Sequence, residues 1–288
     1  MREYKLYTDS TSDMPNELVE LYDITVIPTE VYLSSERYFD YPDERELSKK
    51  EFFDSVKSGI MPSTAVIPPG RFYEYFERDI SAGYDILYIV FSSGLTTTKQ
   101  NAYIASGDLF EIYKEGRIVI VDSLSASLGE GLLVYYAALM KAEGKGIDEV
   151  KEHIEILRQR LNVWFTVDDL QQLKRGGRIS ATAAAVGGVL NIKPMIFIDD
   201  EGKLIPVERV RGRKAALDSL LNKVRSGAVD PKEQVIFVVH ANCSSDCEYI
   251  KQQLEQQIGI KTVITSMMGP VIGAHTGAGA IGLVYLGE

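Results

Sequence analysis

The sequence predicts an α/β protein in which an N-terminal doubly wound, mainly parallel sheet joins a second α+β domain, with a ligand cleft between them. Three observations carry that expectation. Over the first 160 or so residues, short apolar runs alternate with helical periodicity, the order that winds a parallel sheet. Asp85–Phe91 (DILYIVF) and Arg117–Val121 (RIVIV) are nearly unbroken apolar runs, as strands buried on both faces require. Past residue 162 a hairpin signal appears among helices, Asp199-Asp200-Glu201-Gly202 between two β-rich runs, which points to mixed pairing. The expected domains are 1–162 and 163–288, and 288 residues suffice for two cores.

Taken in order, Lys5–Thr8 reads as a strand running into the polar stretch Asp9-Ser10-Thr11-Ser12-Asp13. A helix over about Pro15–Tyr22 follows, with proline in the first turn where its missing N–H costs nothing. Thr25–Leu33 is β-rich. Ser48 is a good N-cap for a helix that Gly59 closes. Met61–Gly70, with three prolines, reads as a loop, and the next helix carries Phe72, Tyr73, Tyr75 and Phe76. After the strand 85–91 come Ser92-Ser93-Gly94, a helix over about Thr98–Tyr113, the strand 117–121 with Asp122-Ser123, and two more helices. In the second half Val163–Val167 is a strand, and Asp168 is expected to cap a helix that Gly176-Gly177 ends. Ala181–Leu190 reads as a small-residue helix, Ile196–Ile198 and Leu204–Val210 as a hairpin. A helix over about Lys214–Arg225, the strand Val235–Val239, a helix over Ser245–Ile258, the strand Thr262–Ser266, a glycine-rich turn and the strand Ile281–Leu286 complete the chain.

Composition narrows the functional classes. A net charge of −10 argues against nucleic acid, which is held mainly by Lys and Arg, and against adhesion to anionic lipid. The sequence has neither a signal-peptide pattern nor an apolar stretch of membrane-spanning length, so a cytoplasmic protein without integral membrane association is expected. Cys243 and Cys247 do not have the spacing of a redox or zinc motif, and the three histidines (His153, His240, His275) show no paired spacing; neither a metal site nor a cofactor is expected.

Polar clusters follow three predicted parallel strands: Asp9–Asp13, Ser92-Ser93-Gly94 and Asp122-Ser123. Ligands of doubly wound sheets sit outside those strand ends, where hydroxyls and helix N–H groups can hold an anion; the same residue types also serve as N-caps. Gly269-Pro-Val-Ile-Gly273-Ala-His275-Thr276-Gly277-Ala-Gly279 matches neither a P-loop nor a dinucleotide fingerprint, and its four glycines allow close backbone approach to a ligand or a strand. Arg178 belongs to a basic group with Lys174, Arg175, Arg209, Arg211 and Arg213, of which two could pair with an anion.

Asp9-Ser-Thr-Ser-Asp13, Pro62-Ser-Thr64, Ser92-Ser93-Gly94-Leu95, Asp122-Ser123, Leu173-Lys-Arg-Gly-Gly-Arg-Ile179, Ile192-Lys193-Pro194 and Gly269–Gly277 resemble, in that order, the motifs of the DegV family over essentially the whole chain. The resemblance implies a non-enzymatic protein that holds a long-chain fatty acid such as palmitate between two domains. It also implies presentation of the acid to a separate fatty acid kinase, which makes the acyl phosphate. By the same resemblance Thr64 and Ser93 bind the carboxylate, with His275, Thr276, Gly277 and Arg178 as a supporting network. The chain departs from the family pattern at Ala65–Ile67, Thr96–Thr98 and Ala278. A carboxylate neighbour would favour charged imidazole at His275, so binding is expected to take up a proton near the ordinary histidine pKa of ~6.5. Phe165, Ala184, Val186, Val189, Ile192, Met195 and Phe197, with Met267, are candidates to line the tail. The alternative is an acyl hydrolase or transferase built on Ser93, His275 and Asp122, although Ser93 lacks the nucleophile-elbow context. A triose-binding kinase domain is a third reading.

Overall fold

The computed structural model describes residues 2–168, 170–180 and 191–288. The predicted helix 181–190, and with it Ala184, Val186 and Val189, lies outside the described residues. The first part of the chain forms β1 (Tyr4–Asp9), α1 (Asn16–Leu21), β2 (Ile24–Ile27), β3 (Glu30–Leu33), β4 (Glu36–Phe39), α2 (Lys49–Lys57), β5 (Ser63–Thr64), α3 (Pro69–Ser81), β6 (Asp85–Val90), α4 (Thr98–Ile112), β7 (Ile118–Asp122), α5 (Leu128–Ala142) and α6 (Ile147–Leu157). The remainder supplies β8 (Leu161–Thr166), α7 (Gln171–Arg175), β9 (Ile192–Ile198), β10 (Leu204–Arg211), α8 (Arg213–Gly227), β11 (Val235–His240), α9 (Ser244–Gln253), β12 (Thr262–Met267), α10 (Pro270–Thr276) and β13 (Ile281–Leu286).

A parallel sheet in the order β2-β1-β6-β7 fills the first half. All six residues of β6 are buried, as its unbroken apolar run requires in a central strand. The second half builds a six-stranded mixed sheet, β10-β9-β8-β13-β11-β12, in which only β11 and β12 run parallel. A small antiparallel sheet, β4-β3-β5, was not foreseen; β4 is largely polar and β5 only two residues long, so neither leaves an apolar alternation to read.

Local chemistry explains several boundaries. Ser48 accepts from the Glu51 N–H and its hydroxyl donates back to the Glu51 carboxylate, a reciprocal cap for α2. Pro15 stands at the cap position ahead of α1, not inside its first turn. Asp168 does not cap α7, whose N-cap is Leu170; its carboxylate instead meets Lys193 Nζ at 2.6 Å and Arg213 at 3.9 Å. The glycine-rich turn proves to be the helix α10, with Pro270 at its start. At the β9–β10 turn Gly202 has φ +72°, and a Cβ there would lie 2.0 Å from Ser92 Oγ. The turn is thereby pressed onto the strand ends of the first sheet, where Ser92 Oγ donates to Gly202 O at 2.8 Å. Gly202→Ala is expected to cost more than ~1 kcal/mol, since it combines a left-handed backbone with a collision; chemical denaturation checks this.

Helix α5 joins the two large sheets. It packs on β1 and β6 on one side and on β8, β11 and β13 on the other, and every residue from Leu128 to Val134 is buried. Its sequence is apolar nearly all round, as a helix without a solvent face demands. One continuous apolar cluster accordingly runs from Leu6 and Leu87 of the first sheet to Phe165, Phe237 and Val284 of the second. A second cluster lies on the far face of the mixed sheet under α8 and α9.

Candidate functional site

An apolar cavity lies where the inner face of the mixed sheet meets the start of α5. Alternation along the strands decides its lining: Val163 and Phe165 of β8, Ile198 of β9 and Val284 of β13 face it. Trp164 and Phe197 face the other way and stack on each other, ring centroids 4.7 Å apart. Of the predicted tail residues Phe165 lines the cavity. Met195 belongs to the opposite core cluster, and Ile192, Phe197 and Met267 are not part of the wall. Leu173 of α7 also lines it, as do Phe91, Leu95 and Met268; these last three sit at loops and element ends, where periodicity carries no signal. The loop above the cavity holds Leu124 and Ser127 at φ +48° and +53°, backbone strain of the kind that collects at binding sites.

At one end the lining turns polar. Helix α10 is fixed by its first turn, where the Gly269 N–H donates to Asp13 Oδ1 at 2.7 Å and the Val271 N–H to Asp40 Oδ2 at 3.3 Å. Its body lies against α2, β3 and β5, and its last turn brings His275 Nε2 to 2.9 Å from Thr64 Oγ1. Thr64, on β5, pairs with Val31, so the small antiparallel sheet is what carries the hydroxyl to the histidine. Gly176 ends α7, as expected, and has a further role: a Cβ there would lie 2.3 Å from His275 Nδ1. That nitrogen is buried without a hydrogen-bond partner among the described residues. Arg178 is the one charged residue in the described wall of the cavity, and its guanidinium donates to Gly176 O at 2.5 Å. Burial lowers the Arg178 pKa from its ordinary value; a partly desolvated cation of this kind gains from an anionic partner.

Burial and the Arg178 charge push the His275 pKa down to about 4. The imidazole is therefore neutral near pH 7. The expected proton uptake concerns the ring with an acyl carboxylate beside it; from the protein's own groups, desolvation and the Arg178 charge decide.

The other expected site residues are placed differently. Ser93 is exposed; its N–H donates to Asp122 Oδ1 at 3.2 Å, and its neighbours Phe91 and Leu95, not Ser93 itself, line the cavity. Burial opposes the Asp122 charge, yet hydrogen bonds from Ser93, Leu124 and Lys99 outweigh it and hold the pKa below the ordinary carboxylate value. Thr276 Oγ1 donates back to Ile272 O at 3.0 Å and Gly277 caps α10 at φ +77°, so both shape the helix end. Asp9, Thr11, Ser12 and Asp13, expected at a ligand rim, are buried. Asp9 accepts from Tyr88 Oη at 2.8 Å, and Glu130 of α5 accepts from Thr8 and Thr11; this network ties β1 to α5. A Ser-His-Asp relay is not assembled: His275 pairs with Thr64, while Asp122 pairs with the Ser93 loop and Lys99. Burial raises the Cys243 and Cys247 thiols to about 11 and about 12, far from a nucleophile's range. Among the described residues no cluster could hold a metal ion, and no helix is long and apolar enough to cross a membrane.

A parallel sheet and a mixed sheet sharing one buried helix, with an apolar cavity whose wall carries a cation and an imidazole paired to a hydroxyl, define an α/β fold with an internal cavity. The family model described as "Uncharacterised protein, DegV family" matches residues 3–288. A DegV domain-containing protein of Clostridium perfringens is 41% identical over 288 residues, covering 100% of this chain and 99% of the relative. The chain belongs to the DegV family. Among solved structures it is similar to a Thermus thermophilus DegV family protein described for its fatty acid binding, with TM-score 0.89, 30% identity and 100% of both chains covered. It is also similar to DegV of Bacillus subtilis, described as a fatty acid binding protein, with TM-score 0.86, 28% identity and 100% of both chains covered.

Proposed function

We propose that this chain binds one long-chain fatty acid, of the palmitate class, with its tail in the apolar cavity and its carboxylate at the Thr64–His275–Arg178 end. The observation that carries the reading is the make-up of the cavity wall, apolar apart from Ser127 and Thr276, with one cation, Arg178, and one imidazole, His275. A buried tail gains ~0.8 kcal/mol per methylene, and a carboxylate needs only a few well-placed donors. Thr64 Oγ and the Arg178 guanidinium supply hydrogen bonds, and the neutral imidazole orients the Thr64 hydroxyl. Ser93, on the adjoining loop, is the remaining carboxylate donor that the resemblance implies. The solved relatives described as fatty acid binding support the same ligand class.

The protein itself carries no chemical step in this reading. Thr64 is only partly buried and Ser93 is exposed, so the carboxylate would be the accessible part of a bound acid, and a fatty acid kinase could reach it to form the acyl phosphate. The reading places both proteins in the cytoplasm, in keeping with two free thiols. Native mass spectrometry of gently purified protein is the test. A mass increment of one fatty acid, released by organic extraction, is expected; protein without lipid that also fails to bind added palmitate overturns the proposal.

A further inference from the structure

The cavity has a far wall as well as a polar head. Behind it lies a separate cleft formed by Leu124, Ser125, Arg158, Gln159, Asp199 and Asp200 among others, and the two spaces share two residues, Val163 and Ile198. These are neighbours on adjacent strands: Trp164 of β8 pairs with Phe197 of β9, so in the antiparallel ladder Val163 stands opposite Ile198, both on the inner face. Each is nearly buried, at 8% and 6% exposure. Their side chains line both the apolar chamber and the polar cleft.

The direction of the strands places this partition at the tail end. Strand β13 begins shortly after His275, next to the polar end, and crosses the cavity floor through Gly282 to Val284, which pairs with Val163. The four steps from Ala280 to Val284 advance ~13 Å away from the head. Helix α5 supports the wall from above, since a Cβ on Gly129 would lie 2.8 Å from Val163 Cγ2. Beyond the wall an acyl chain would meet the Arg158 guanidinium, the Asp199 and Asp200 carboxylates and Ser125 Oγ. Ser125 Oγ and Arg158 Nε are buried without hydrogen-bond partners among the described residues, and a methyl group cannot serve either.

We propose that Val163 and Ile198 are the specificity-determining residues for acyl-chain length, forming a stop that ends the tail cavity and divides it from the polar cleft behind. The inference rests on the fatty-acid reading above and deepens it. Up to the stop each added methylene raises affinity about fourfold; past it the gain vanishes, because the next carbon would have to displace the wall or enter a charged surface.

The test is a binding series of saturated acids, stepped by two carbons, against wild type, Val163→Ala/Ile198→Ala and Val163→Leu, each first checked for a cooperative thermal transition. Wild type is expected to show an affinity maximum at one length. The thinned wall should move that maximum at least two carbons longer, with a roughly tenfold gain for the longer acid. Val163→Leu should weaken the wild-type optimum several-fold and favour a shorter acid; should it fail to fold, the thinned pair decides alone. A length optimum that stays in place when the wall is thinned overturns the stop while leaving fatty-acid binding intact. Wild-type protein that binds no acid of any length overturns the underlying reading instead, and the stop with it.

Discussion

Arg178→Met combined with Thr64→Ala is expected to weaken fatty-acid binding by roughly a thousandfold, because the bound carboxylate would lose its cation and a hydroxyl donor together. Hydrogen bonds to a charged group are worth about 1.5–3 kcal/mol each, and the methionine keeps most of the arginine stem's packing. Arg178 is the larger share, being the only charge in the described wall of the cavity. Ser93→Ala should cost least of the three, since that side chain is exposed and stands on a loop already held by Asp122. The neutral methyl ester of the same acid is the control: its affinity should hardly depend on Arg178. Titration calorimetry of both ligands against the single and double variants decides it, and equal losses for acid and ester would remove the arginine from carboxylate recognition.

The second large effect concerns stability and pH. Asp13 and Asp40 both sit at the start of α10, and burial pushes each up to about 7; the Asp13 charge raises Asp40 further, as does Glu44, while Lys49 opposes both. Both pKa values are raised on folding, so the folded protein holds more protons than the unfolded chain between about pH 4 and 7. Stability from this pair is present at low pH and is lost as pH rises through that window. Asp40→Asn removes one of the two carboxylates and keeps an oxygen that can accept from the Val271 N–H. It should stabilise the protein by about 1–3 kcal/mol at pH 8 and by little at pH 5. His275 titrates the other way: its pKa is lowered to about 4, so its contribution falls away as pH drops below ~6.5. It is common to both proteins and leaves the difference untouched. Urea denaturation of wild type and variant at the two pH values gives the result directly, and an unchanged difference would mean that Asp40 carries no such penalty.

Much of the architecture was legible in the chain because its cues were strong and local. The uninterrupted run of β6, the Ser48–Glu51 cap and the Asp-Asp-Glu-Gly turn each specify their own geometry. What escaped was set by distant partners. Asp168 has the chemistry of a cap, but Lys193 and Arg213 are better partners for its charge. A stretch with four glycines reads as a turn; it is helical at α10 because Asp13 and Asp40 hold its first N–H groups and the α2 aromatic pair lies beneath Gly273. Thr64 and His275 are 211 positions apart, and no pattern short of the family resemblance connects them. The lowered pKa of His275 was hidden for the same reason, since it depends on burial and on Arg178, neither of which a glycine-rich sequence discloses.

Helix α5 bears on how the molecule can be divided. Cutting the chain near residue 160 would strand this helix on the first fragment with a bare apolar flank, and would leave the second fragment a sheet with its inner face open to water. The second piece would keep the cluster under α8 and α9, but neither would close the core that α5 completes. The two halves differ in topology, yet each leans on the other through α5, so a mutation in that helix would be felt in both sheets at once.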